Sequence, residues 1–149
     1  MFDIRRLPLR FPRHLLRNRA GTSAVEFALL SPLFLMILLG MAAYGILIGA
    51  THSVQQIAAD AARISIAGLG PDERQALATE FVMRNAGGYA FIEVSRIDVS
   101  ARDNPDNPSQ FTVTVEYDAS ELPIWNLFHG LPLPEMTIAR RATIRNGGI

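Results

Sequence analysis

Residues 19–50 read Arg19-Ala-Gly21-Thr22-Ser-Ala-Val-Glu26-Phe27-Ala-Leu-Leu-Ser-Pro32-Leu-Phe-Leu-Met-Ile-Leu-Leu-Gly40-Met-Ala-Ala-Tyr-Gly45-Ile-Leu-Ile-Gly49-Ala50, and this stretch decides how the rest is read. From Phe27 to Ala50 there are 24 residues without a charge. As a helix they would extend about 36 Å at about 1.5 Å per residue, enough to cross a hydrocarbon core of about 30 Å. A basic segment precedes the stretch, and one carboxylate, Glu26, stands at its mouth.

Charge divides the chain at the same place. Residues 1–19 hold six arginines against Asp3, a balance of +5, and the remaining eight arginines face thirteen acids, a balance of −5. The basic flank is short and adjoins the apolar run, so it reads as the cytoplasmic side of a membrane span, with the following domain outside. Nothing in it argues for nucleic acid. The prolines at 8 and 12 break any long helix there, which suits a leader. With no cysteine, disulfide staples, thiol catalysis and Cys-based metal sites are excluded. A secretory signal peptide predicts a shorter apolar region and a small-residue cleavage site beyond it, and Ile48-Gly49-Ala50 is a weak one.

Within the span, Pro32 is expected to loosen the turn over residues 28–32, with Ser31 available to a freed carbonyl. Gly40, Gly45 and Gly49 are candidate helix-packing positions, since Gly45-x-x-x-Gly49 puts two small residues on one face. No helix breaker intervenes before Ala67. Val54, Ile57, Ala58, Ala61, Ile64 and Ser65 recur at helical spacing, with Gln55, Gln56, Asp60 and Arg63 on other faces. One helix of 44 residues, from Ala24 to Ala67, is therefore expected, ending at Gly68-Leu69-Gly70-Pro71.

A second, short helix should start at Asp72-Glu73, with an apolar stripe of Ala76, Leu77, Phe81 and Val82, and stop at Asn85-Ala86-Gly87-Gly88. Strands are expected near 91–102, with a break at Ser95-Arg96, and near 110–118 and 135–145. The fold class is thus α+β: a long N-terminal transmembrane and stem helix, then a small head with a short helix and a three-stranded antiparallel sheet. One sheet face would pack on the helices. The loop Glu121–Pro134 could cover the open sheet face, a partner surface or the membrane interface.

Catalytic chemistry finds no support. His14, His52 and His129 lack ligand spacing, and no nucleophile or phosphate-loop motif occurs. Asp103, Asn104, Asp106 and Asn107 could offer oxygens to calcium, but Asx-Pro turns account for them without an ion. No metal or other cofactor is expected.

The junction Arg19-Ala-Gly21-Thr22-Ser-Ala-Val-Glu26 resembles the class 3 signal of type IV prepilins and pseudopilins. With Phe27-Ala-Leu-Leu-Ser-Pro32-Leu-Phe, Gly40 and Gln56-Ile-Ala-Ala-Asp60-Ala-Ala-Arg63, it looks like the TadE-like family of tight-adherence (Tad, or Flp-type) pilus systems. The resemblance implies cleavage between Gly21 and Thr22 by a prepilin peptidase, leaving Glu26 fifth in the mature chain. Glu26 and Phe27 would then serve subunit pairing and assembly, Glu26 by pairing with the new Thr22 amine. It implies three segments: a basic cytoplasmic leader (1–21), a transmembrane and assembly helix (22–50), and an extracytoplasmic stem and pilin-like α+β head (51–149). It further implies a minor pseudopilin or assembly component in the bacterial inner membrane, single-pass with a periplasmic head. The expected partners are prepilin peptidase, other pilins or pseudopilins and inner-membrane Tad assembly proteins, in a hetero-oligomer serving surface adhesion. The alternative is a single-pass envelope binding module whose span is a tether only.

Overall fold

The computed structural model describes residues 19–125 and 135–145, so the leader to residue 18, His14, His129 and residues 126–134 of the proline-rich loop lie outside it. The order is α1 (Arg19–Ser65), α2 (Pro71–Asn85), β1 (Ile97–Asn104), β2 (Asn107–Asp118) and β3 (Thr137–Arg145). Short 3₁₀ turns at Ala86–Gly88 and Val94–Arg96 lie between α2 and β1. This is the α+β architecture expected above. The chain divides into two compact units, 1–38 and 39–149, and α1 contributes to both.

α1 runs through Pro32 without interruption. Proline cannot bond the carbonyl four residues back, that of Ala28. Ser31 Oγ lies 3.5 Å from that carbonyl, a long bond that partly replaces the missing donor. The helix ends in tightening turns: the amides of Ile66, Ala67 and Gly68 bond three residues back at 3.1–3.4 Å. α2 follows at once. Gly70 O accepts from Arg74 N at 3.0 Å, and Glu73 reaches back to accept from Leu69 N at 2.8 Å, bracing the turn that leads into the helix.

The sheet has the order β1-β2-β3, both pairs antiparallel. The β1–β2 hairpin turns on Pro105-Asp106, where Asn104 Oδ1 accepts from Asp106 N at 3.0 Å and Asn107 Oδ1 from Ser109 N at 3.1 Å. Side chain to backbone bonds thus account for the Asp/Asn/Pro cluster as a turn. Alternation along β2 puts Phe111, Val113, Val115 and Tyr117 inward, at 3% exposure or less. They meet Ala50, Val54, Ile57, Ala58, Ala61 and Ala62 of α1, and Ala78 and Val82 of α2, in one core.

Details of the stripes differ from expectation. Ile64 is exposed while Ala62 and Ala50 are buried, and on α2 Ala78 takes the place expected of Ala76. Small residues fill these helix faces, with Ala50, Ala62 and Ala78 fully buried. β1 begins at Ile97, after the 3₁₀ turn, so the expected break at Ser95-Arg96 is where the strand starts. In the described part of the proline-rich loop, Leu122 and Ile124 are buried and Trp125 donates its indole N–H to Ala119 O. There the loop covers the core.

Candidate assembly helix

α1 is long and apolar enough to cross a membrane from Gly21 onward. Its first part is apolar on every face: each Val, Leu, Ile, Met and Phe from Val25 to Leu39 is at least 42% exposed. A soluble helix shows one apolar stripe, and an all-round apolar surface calls for lipid or packed helices about it.

Gly21 and Thr22 occupy the first turns of α1, both exposed, and a β-carbon at Gly21 would meet nothing within 4 Å. Glu26 and Phe27 are also exposed, Phe27 at 74%. Glu26 has no ionic or hydrogen-bonding partner among the described residues. It stands four residues after Thr22, one turn further along the same face. Helical side chains tilt toward the N-terminus, so its carboxylate is directed toward the Thr22 turn. Pro32 is exposed and Gly40 half-buried.

The two remaining glycines have different surroundings. Gly45 is open, with nothing within 4 Å of a notional β-carbon. At Gly49 that carbon would stand 2.8 Å from Phe91 Cε2, so this glycine is packed by the chain's own loop. Phe91 was invisible to sequence reasoning. Nothing in Tyr89-Ala90-Phe91 marks it as the residue opposite Gly49, or as the one non-glycine with positive φ (63°) among the described residues.

Further ties hold this loop to α1 and the start of β1 to the end of β2. Ser53 Oγ donates to Ala90 O at 2.8 Å, and Tyr89 Oη donates to Asp60 Oδ2 at 2.9 Å. Burial, with the bond to Asp60 and its charge, raises the Tyr89 hydroxyl above its usual pKa. Arg96 gathers Glu93, Asp118 and Glu121 at 3.2–3.3 Å. Asp118 is held below the usual carboxylate range, chiefly by its hydrogen bonds from Ser120. An open groove of about 410 Å³ lies between α1 and α2, lined by Asp60, Arg63, Phe81 and Tyr89 among others. His52 is exposed. Among the described residues, no group of three or more His, Cys, Asp or Glu could hold a metal ion.

Residues 21–63 match the family model described as TadE-like protein. The N-terminal helix is TadE-like. The match starts at Gly21, takes in Glu26, Pro32 and all three glycines, and stops two residues before α1 ends. The TadE-like family is a structural one associated with Tad pili, and the matched helix is long and apolar enough to cross a membrane. No curated protein and no solved structure matches the chain.

Proposed function

We propose that the chain is a minor pseudopilin or assembly component of a tight-adherence pilus system. A prepilin peptidase removes the basic leader between Gly21 and Thr22, and the apolar helix holds the mature protein in the inner membrane with its head in the periplasm. The observation that carries this reading is a TadE-like helix, apolar on every face, with a lone exposed carboxylate one turn after Thr22.

An unpaired carboxylate in an apolar layer costs about 2.5–3.5 kcal/mol at mid-helix on insertion scales. Cleavage supplies a partner, since it creates an α-amino group at Thr22, on the same face as Glu26. The pair can form within one chain or between neighbours. Glycine before the cut lets the backbone extend into a protease cleft. Since Gly21 lies inside α1, the first turns must unwind for cutting, which helix ends do readily. Pilins, pseudopilins and inner-membrane assembly proteins of the Tad system are the proposed partners, through the exposed helix.

Co-expression with a prepilin peptidase tests the reading. Intact mass should show loss of 21 residues, leaving Thr22 first, and Gly21→Ala should stay full length. A product of unchanged mass, or cutting indifferent to Gly21→Ala, removes the processing step. Replacing the exposed apolar part of the helix with an unrelated membrane span should abolish assembly. Full function of that chimera would instead make the helix a tether for an envelope binding module.

A further inference from the structure

We infer that the hydrocarbon layer ends near Ala43, not at Ala50, and that the loop carrying Phe91 rests in the lipid headgroup layer. This rests on the membrane-anchored reading above. The sequence gives no boundary inside its uncharged run from Phe27 to Ala50. The head unit supplies one. Its core takes in Ala43 (6% exposed) and Ala50 (0%), and Ile46 and Leu47 pack against it. From Ala43 onward one side of the helix is therefore covered by the chain itself.

The covering chain is unfit for hydrocarbon. Ala90 and Phe91 belong to irregular backbone, and two residues later the Glu93 side chain is 63% exposed. Lipid-exposed irregular backbone does not occur in a bilayer core, and an exposed carboxylate there is costly. Since Phe91 packs on Gly49, the helix at Gly49 shares the loop's level, outside the hydrocarbon. Counting back about 30 Å of helix from Ala42, roughly 20 residues, reaches Ser23, so Glu26 stays within about one turn of the layer's inner edge.

Phe91 points to what the loop touches. A bulky residue in the left-handed region is strained and persists only where its surroundings hold it. Tyr117 Oη donates to its carbonyl at 3.2 Å, Ser53 Oγ to the preceding carbonyl at 2.8 Å, and its ring lies against Gly49. Yet Phe91 stays 49% exposed, and on the adjoining helix Tyr44 (59%) and Ile48 (54%) are exposed too. These are exposed apolar side chains, two of them aromatic, at the part of the helix where the head's core begins. Amphipathic aromatic side chains such as Tyr44 collect at headgroup level.

The chain has no cysteine, so single-cysteine variants report position cleanly. We would label Leu33→Cys, Leu38→Cys, Tyr44→Cys, Phe91→Cys and Leu69→Cys with bimane. The full chain would be placed in phosphatidylcholine–phosphatidylglycerol vesicles with nitroxide quenchers at the headgroup or deep in the acyl chain. Deep quenching should peak at Leu33→Cys, Tyr44→Cys and Phe91→Cys should answer to the headgroup quencher, and the 93% exposed Leu69 position to neither. A deep maximum shifted to Leu38→Cys, with Tyr44→Cys still deep, overturns the boundary. Tyr44→Cys leaves the loop intact, so it decides even if Phe91→Cys perturbs the fold. Protection of positions 44 and 91 from both quenchers, with self-quenching between labelled copies, would assign the patch to a second chain and overturn the proposal. If Leu33→Cys is quenched by neither lipid, the membrane anchor itself fails.

Discussion

Gly49 is one of the three glycines that mark the helix as small-faced, and its single-chain role is set by Phe91. Gly49→Ala should therefore force the ring or its strained backbone to move, destabilising the head by about 1–2 kcal/mol, as overpacking does. Urea unfolding of the full chain in detergent would show it, followed by head tryptophan fluorescence. In a Phe91→Ala background the same substitution should cost far less, because the atoms it collides with are gone. Additive effects would mean that the contact does not bear on stability. Gly68 differs in kind: a β-carbon there would meet the Arg74 backbone nitrogen at 2.8 Å, and backbone cannot swing aside. Gly68→Ala should be the more damaging of the two.

At the scale of elements, α2 is the clamp of the head, and two adjacent side chains hold it. Gln75 lies beside the outer edge of β1 and behaves as an extra rung, accepting from Ala101 N and donating to Val99 O at 2.8 Å. An open strand edge is a site for unwanted pairing, and this amide closes it. Gln75→Ala leaves a buried amide at Ala101 without that acceptor, so a loss of about 1–3 kcal/mol is expected. Gln75→Glu should recover part of it by keeping the acceptor. Its neighbour Arg74, with a side chain only 11% exposed, pairs with Asp103, donates to Gly68 O at 3.2 Å and lies 5.2 Å over the Phe111 ring. Arg74→Lys should retain little of this, because an ammonium cannot make the planar contacts together. Thermal melts of Arg74→Lys and Arg74→Ala falling close together would bear that out. Ser65, fully buried, shares its hydroxyl between Ala61 O and Arg74 O and closes the joint between the helices.

For the molecule as a whole, two tyrosines tie the head's stability to alkaline pH. Burial raises both Tyr89 and Tyr117 above the usual value of 10.0, and the bond to Asp60 adds to the rise at Tyr89. A raised value means that the folded state favours the neutral phenol. The contribution is thus whole below pH 10 and disappears as pH climbs through the raised values. Tyr89→Phe should cost about 1 kcal/mol near neutral pH, through the lost hydrogen bond. It should also flatten the decline above pH 10, measured by urea midpoints across pH. A decline unchanged in Tyr89→Phe would assign the effect to Tyr117 or to other groups.

Much of this was legible in the chain itself. The uncharged run, the Glu26 outlier, the helical spacing through Ser65, the stop at Gly68-Leu69-Gly70-Pro71 and the alternation of Phe111, Val113, Val115 and Tyr117 each rest on local periodicity or local turn chemistry. Such signals need no knowledge of what lies across the core. The TadE-like match over residues 21–63 rests on the same local pattern. Tertiary structure alone decided which residues meet: that Phe91 seats on Gly49, that Gln75 completes the edge of β1, that Ala62 rather than Ile64 faces the core, and that the head's core reaches down the helix to Ala43. These contacts join residues far apart in sequence, and the close approach of one backbone to another leaves no periodic trace in either segment.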